Sequence, residues 1–251
     1  MTGIIQATMP KNRAIVQEPE PEALCGVDEA GRGPVMGPLV IVGVRTRDDG
    51  PLREIGVRDS KKCTPEYRER LGPAIRRFCE QVVVRTVSAE NIDAMREKMT
   101  LNQIEEIEFA ETIRDLLTSK FPSGRKPERI KVFVDAADAN AQTFRDGILE
   151  RLGIHIDLIS EHKADVNYPV VSAASILAKL IRDSEMEKIS KQAGEDVGSG
   201  YPADPITIAF IEKSIKKDGA LPPHTRKSWE TVKRYMRKEK KLDDFVKTNE
   251  R

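Results

Sequence analysis

The sequence predicts an α/β fold, a mixed five-stranded sheet flanked by helices with a helical cap at its C-terminal end. Two observations lead there. Short apolar runs rich in β-branched residues recur early, at 24–28, 39–44 and 81–87. From residue 89 onward, helix-spaced segments alternate with strand-like runs. Early strands followed by alternating helix and strand call for a sheet with both antiparallel and parallel neighbours.

Residues 1–22 are polar, carry a Glu18-Pro-Glu-Pro-Glu22 run and read as a loosely held arm. Leu24–Asp28 reads as the first strand and Leu39–Val44 as the second. The short connection around Gly33-Pro34 suggests an antiparallel hairpin. Thr64-Pro-Glu opens a helix with a cap and an early proline. Gln81–Val87 is a third strand. Ile92, Met95, Met99, Ile104, Ile107 and Ile113 give one or two helices across 89–119. Arg129–Asp135 is a fourth strand ending in a carboxylate, Ala141–Leu152 a helix and Ile154–Ile159 a fifth strand. Val170–Ile189 is a long helix with small residues on its inner side. Another helix follows Asp204-Pro205, and a basic one spans about 226–241.

Composition narrows the function classes. With 251 residues, 39% apolar and 33% charged, the chain has a soluble globular balance. It contains no apolar run of ~18 residues. Its start lacks the basic-then-apolar layout of a secretory signal, so cytoplasmic residence is the default. Cys25, Cys63 and Cys79 are odd in number and lack CxxC spacing, which argues against a disulfide framework and a zinc site. The three histidines show no HxxxH pairing, so any metal must be held by oxygen, as suits Mg²⁺ or Mn²⁺. The net charge of +1 conceals an asymmetry. Residues 90–115 carry eight acidic and three basic side chains; residues 213–251 carry thirteen basic and six acidic. A basic face for a polyanion and an ordinary solvated helix surface both fit.

Four acidic positions stand out. Asp28 and Glu29 end the first strand and enter a glycine turn, Asp135 ends the fourth strand, and Asp165 follows the fifth. Carboxylates brought together at strand ends repel unless cations or protons neutralise them. Two divalent ions would do so and would supply phosphodiester hydrolysis. Each acid alone has a plainer reading as a surface charge, and Asp165 before a helix also suits an N-cap. The turn glycines Gly31, Gly33 and Gly37 are spaced GxGxxxG and lead back into a strand, which excludes a dinucleotide fold. A close-approach ligand loop and a simple tight turn remain. Gly198-Ser-Gly-Tyr-Pro202 is a second such loop, with Tyr201 either displayed to a sugar or base or buried as an anchor.

Six blocks together resemble the ribonuclease HII family. They are Asp28-Glu-Ala-Gly-Arg-Gly-Pro34, Asp59-Ser-Lys-Lys62, Val134-Asp-Ala-Ala-Asp138, His162-Lys-Ala-Asp165, Val171-Ser-Ala-Ala-Ser-Ile-Leu-Ala-Lys179 and Gly198-Ser-Gly-Tyr-Pro-Ala-Asp-Pro205. They occur in family order between about Leu24 and Trp229, and the chain looks like the single-polypeptide archaeal branch. The resemblance implies a ribonuclease H-like fold, with a catalytic domain at 23–195, a helical substrate-binding region at 196–241 and a tail at 242–251. It implies two divalent cations, Mg²⁺ or Mn²⁺, held by Asp28, Glu29, Asp135 and Asp165, with Asp183 assisting one of them. It further implies that the Gly31-Arg32-Gly33 backbone contacts the ribose 2′-OH, that Tyr201 packs on the neighbouring deoxyribose, and that Lys61 contacts a phosphate. The substrates implied are RNA–DNA hybrids and DNA duplexes containing ribonucleotides.

In the tail, Leu242, Phe245 and Val246 resemble the apolar plug of a sliding-clamp-binding peptide. Glu239 stands where such peptides carry glutamine, and Val246 replaces their second aromatic. A helix end packed on the domain is the other reading. For the whole chain, the competing expectations are a non-catalytic nucleic-acid-binding subunit and a ribonuclease H-like nuclease acting on DNA. Metal-dependent turnover separates the first from an enzyme; the glycine turn and Tyr201 argue against the second.

Overall fold

The first strand runs through the centre of the sheet and is the reason the acidic residues can meet. The computed structural model describes residues 22–57 and 63–237. Its sheet has the order β3-β2-β1-β4-β5, made by β1 (Ala23–Ala30), β2 (Leu39–Thr46), β3 (Gln81–Val87), β4 (Ile130–Asp135) and β5 (Asp157–Glu161). β1 pairs antiparallel with β2 as the hairpin reading expects, and parallel with β4. β2 pairs antiparallel with β3, and β4 parallel with β5.

Side chains alternate across a strand, so β1 feeds two cores. Cys25 and Val27 pack with Val132, Val134, Phe109 and Phe144 on one face. That face is covered by α4 (Leu101–Thr118) and α5 (Ala141–Leu152), with α3 (Ala89–Arg96) beside them. The opposite face receives α7 (Pro169–Ala193), with α2 (Pro65–Phe78) and the short α1 (Gly50–Glu54) beyond it. Gly26 sits under the start of α7, where a Cβ would overlap the Val170 backbone. Helix and strand therefore approach more closely than any other residue would permit. A third cluster joins Val35 and Met36, after the glycine turn, to Met186, Ile189, Ile211 and Val232. It packs α8 (Pro205–Asp218) and the helical residues 230–237 against the end of α7.

The local signals act as their chemistry predicts. The Thr64 hydroxyl caps α2 by accepting from Tyr67 N, with Pro65 at the first turn. Asp204 caps α8 in the same way from Ile206 N. The 89–119 segment resolves into two helices, the second begun by a Thr100–Gln103 capping box. At its far end, fully buried Arg45 donates to the carbonyls of Leu116, in the last helical turn, and of Lys120, just past the Ser119 cap.

Three expectations shift. The fifth strand starts at Asp157 rather than Ile154, because pairing with β4 begins at Lys131–Asp157 and Ile154 is half exposed beyond the helix-ending Gly153. The basic helix begins at 230 rather than 226, since 224–226 run beside 35–37 through a Met36–Thr225 bridge. Asp165 does not cap the long helix: it lies inside the short α6 (Ala164–Asn167), and Tyr168 stands at the start of α7. No helix among the described residues is long and apolar enough to cross a membrane.

Candidate active site

Strand periodicity assembles the acidic corner. Asp28 lies two residues beyond Gly26 on the α7 face of β1, and Asp135 two beyond Phe133 on the same face of β4. Val27 pairs with Val134, so the two carboxylates are neighbours one step past the last paired residues. Asp165 enters from α6, whose Ala164 N donates to Asp135 Oδ1 at 3.1 Å. Oxygens of Asp28, Asp135 and Asp165 all lie within 4.8 Å of one another. Asp28 and Asp165 are buried, and Asp135 is half-buried.

Such a grouping is costly without positive charge. Burial, then the Asp135 carboxylate, pushes Asp28 well above the usual carboxylate range, while a hydrogen bond with Ser175 and the charge of Lys179 act the other way. Burial also raises Glu29, against the opposing charges of Arg32 and Lys179. Three oxygen donors at this spacing suit a hard divalent metal.

These acids line an open cleft of about 360 Å³ together with Glu29, Gly31, Arg32, Gly33, Asp183 and Tyr201. Glu29 and Asp183 stand outside the tight trio. Glu29 Oε2 accepts from Arg32 N at 3.1 Å. Asp183, more than half exposed on α7, pairs with Arg68 Nη2 at 3.3 Å. Gly31 has φ +101°, and a Cβ there would stand 2.5 Å from Pro38 O. The glycine is required by this turn. The Arg32 side chain turns away to α4, where it meets buried Glu105 and donates to Asn102 Oδ1 at 2.6 Å. Tyr201 is 43% exposed rather than a buried anchor, with the Arg182 guanidinium 5.1 Å from its ring centre. Lys61, Leu242, Phe245 and Val246 lie outside the described residues.

Two residues that sequence reasoning missed hold this wall in place. Arg226, fully buried, donates from Nη2 to Gly31 O at 2.6 Å, from Nη1 to Arg32 O at 3.1 Å and from Nε to Gly37 O at 3.0 Å. Buried Arg182 donates to Ser199 O at 2.9 Å, joining α7 to the Tyr201 loop. Burial, then the nearby Arg182 cation, pushes Arg226 down to about 9, leaving it charged at neutral pH. In the sequence Arg226 was only one charge in a basic stretch and Arg182 one in a mixed stretch. Their one local signal was negative, since Arg182 falls where a helix facing the core should be apolar.

A mixed sheet of this order, with Asp28 and Asp135 at the ends of neighbouring parallel strands, is the ribonuclease H-like fold that the sequence resemblance implies. Comparison with known proteins narrows the class. The family model described as Ribonuclease HII matches residues 25–232. Ribonuclease HII of Pyrococcus abyssi (strain GE5 / Orsay) is 42% identical over 230 residues, 89% of this chain and 97% of its own length. The crystal structure of ribonuclease H2 from Pyrococcus horikoshii OT3 superposes with a TM-score of 0.75 at 39% identity, covering 86% of this chain and 98% of that one. The ribonuclease HII in the PCNA:RNase HII complex from Archaeoglobus fulgidus gives 0.72 at 39% identity, over 82% and 95% of the two chains. The chain belongs to the ribonuclease HII family.

Proposed function

We propose that this ribonuclease H hydrolyses the RNA strand of RNA–DNA hybrids and cuts duplex DNA on the 5′ side of embedded ribonucleotides, leaving 5′-phosphate and 3′-hydroxyl ends. The observation that carries this reading is the convergence of Asp28, Asp135 and Asp165 in one cleft with the glycine turn and Tyr201. Asp28, Glu29, Asp135 and Asp165 would hold two divalent cations, Mg²⁺ or Mn²⁺, with Asp183 assisting one. When bound, such ions activate the attacking water and stabilise the leaving 3′ oxygen.

The chain's own residues select the substrate. The Gly31-Arg32-Gly33 backbone reads the ribose 2′-OH, the group that separates RNA from DNA, without reading the base. Tyr201, displayed at the cleft, packs on the adjacent deoxyribose, and Lys61 contacts a phosphate. Residues 23–195 act as the catalytic domain and 196–241 as the substrate-binding region, the two joined through the cluster that packs Ile211, Ile215 and Val232 against Val35, Met36 and Met186. Three buried cysteines, none in a disulfide, suit a reducing cytoplasm.

The test is a labelled DNA duplex with one ribonucleotide, beside all-DNA and long-hybrid duplexes, incubated with Mg²⁺, Mn²⁺ or EDTA. Metal-dependent cutting 5′ to the ribonucleotide is expected. Cutting of the long hybrid alone would remove the junction-reading role from the turn and Tyr201, and an intact set of duplexes would return the binding-subunit reading. We also propose that Leu242, Phe245 and Val246 in the 242–251 tail bind a sliding clamp, a reading supported by the PCNA complex of the Archaeoglobus relative. Phe245→Ala should abolish clamp association and leave nuclease activity unchanged; no detectable binding by the intact chain ends the idea.

A further inference from the structure

We infer that Arg226 is a positioning residue that sets the peptide planes of the Gly31–Gly33 turn, and so fixes which backbone groups face the substrate. The inference rests on the turn-reading role proposed above and assigns the device that makes it work.

The geometry of three bonds carries the argument. One guanidinium donates to the carbonyls of Gly31, Arg32 and Gly37, which brackets the whole turn from behind. A trans peptide is planar, with its N–H opposed to its C=O. Directing the Gly31 carbonyl at Arg226 therefore directs the Arg32 N–H the opposite way, and that N–H donates to Glu29 Oε2. The same constraint on the Arg32 carbonyl turns the Gly33 N–H away from Arg226. At Gly33 a Cβ would lie 3.7 Å from the Tyr201 ring, so this side of the turn faces the aromatic. Arg226 thus couples the candidate metal ligand Glu29 and the Tyr201 side of the cleft through two peptide planes.

The support is built around the arginine. Its own N–H donates to Val35 O at 2.8 Å, and Gly37 N donates to His224 O at 2.9 Å, so 224–226 and 35–37 are tied by backbone. The Trp229 ring lies 4.8 Å from the guanidinium. Asp93 on α3 accepts from Lys227 N at 2.7 Å and Ser228 N at 2.9 Å, which anchors the segment just past the arginine. A planar fork can meet several carbonyls at once, whereas an ammonium is a point charge on a flexible stem.

The test compares Arg226→Gln, Arg226→Lys and Asp93→Ala with the wild type. Steady-state kinetics on the single-ribonucleotide duplex are read beside hydrogen exchange of the 31–37 amides. Arg226→Gln should lower kcat by about tenfold or more, the scale of one lost charged hydrogen bond. KM should hold, because the exposed basic surface is untouched. Exchange should accelerate at 31–37 and not in β4 or β5. Arg226→Lys should recover part of kcat, and Asp93→Ala should show the same pattern more weakly while leaving the buried cation in place. Should Arg226→Gln fail to fold, Asp93→Ala decides. Unchanged kcat with unchanged turn exchange would overturn the inference. Acceleration spread equally over the sheet would also overturn it, assigning Arg226 to general stability. If the wild type cut no ribonucleotide duplex, the proposed function would fall, and the exchange measurement alone would still judge whether Arg226 holds the turn.

Discussion

The two walls of the cleft are built by opposite means. The acidic wall is assembled by strand register: Asp28 and Asp135 meet because β1 and β4 are parallel neighbours and both side chains obey a period of two. The glycine wall is assembled by tertiary clamping, with Arg226 reaching back 195 positions to Gly31. The first wall concentrates negative charge and gains from an added cation. The second already holds its cations, buried against carbonyls. A substitution on the acidic wall should therefore change chemistry with little change of shape, and one on the glycine wall should change shape first.

The largest expected effect tests the acidic wall. Asp135→Asn keeps the volume and the acceptor for Ala164 N but removes a charge from the trio. On the proposed two-ion reading, transition-state stabilisation of several kcal/mol depends on that charge, so kcat should fall ~10³-fold or more. Duplex binding, measured by anisotropy, should stay close to that of the wild type. A fall in affinity of the same size would mean that the trio binds substrate rather than activating it. Gly31→Ala comes next and tests the other wall. Its φ of +101° and the 2.5 Å approach to Pro38 O should cost about 2–3 kcal/mol, on the order of 5–10 °C in Tm. A variant with wild-type Tm would show that the turn tolerates movement and is not shape-limited.

The difference between the walls also explains what was legible in the sequence. Asp28 and Asp135 could be singled out because strand ends and alternation are local patterns, and the five-stranded mixed sheet followed from the same signals. Thr64 was legible as a cap, and a helix follows Asp204-Pro205 as read. Arg226 could not be found this way, since its partners are backbone carbonyls, which every residue supplies. Its segment looked like the start of a basic helix, and pairing with 35–37 overrode that propensity. The start of β5 was misplaced for a related reason: Ile154 and Ile156 are β-branched, but the partner strand sets where pairing begins.

A smaller effect sharpens the charge argument. Without metal, Asp28 has a folded-state pKa above its unfolded one, raised by burial and Asp135. The folded protein then binds more protons than the unfolded chain above the ordinary carboxylate pKa, so stability declines as pH rises toward the folded value. Asp28→Asn removes this penalty. In EDTA the variant should melt above the wild type, with the gap widening as pH rises from the acidic side. Saturating Mn²⁺ should stabilise the wild type by ~3 kcal/mol at a hundredfold excess over Kd and close the gap. A variant less stable than the wild type in EDTA would mean that the trio is already neutralised within the protein.

The smallest expected effect lies away from both walls. Lys233, Arg234 and Arg237 are exposed on the last described helix, and Glu230 pairs with both arginines. That carboxylate offsets part of the local positive charge, so three cations should not act as three phosphate contacts. Neutralising all three should weaken binding to every duplex alike and lower the slope of log K against log salt by roughly 1–2, at ~0.9 per contact. Because the three cations line neither the acidic cleft nor the glycine turn, kcat on bound substrate should hold. A fall in kcat with an unchanged salt slope would tie the helix to the glycine wall through Val232 and the core it shares with Val35 and Met36, making it part of the clamp rather than a substrate surface.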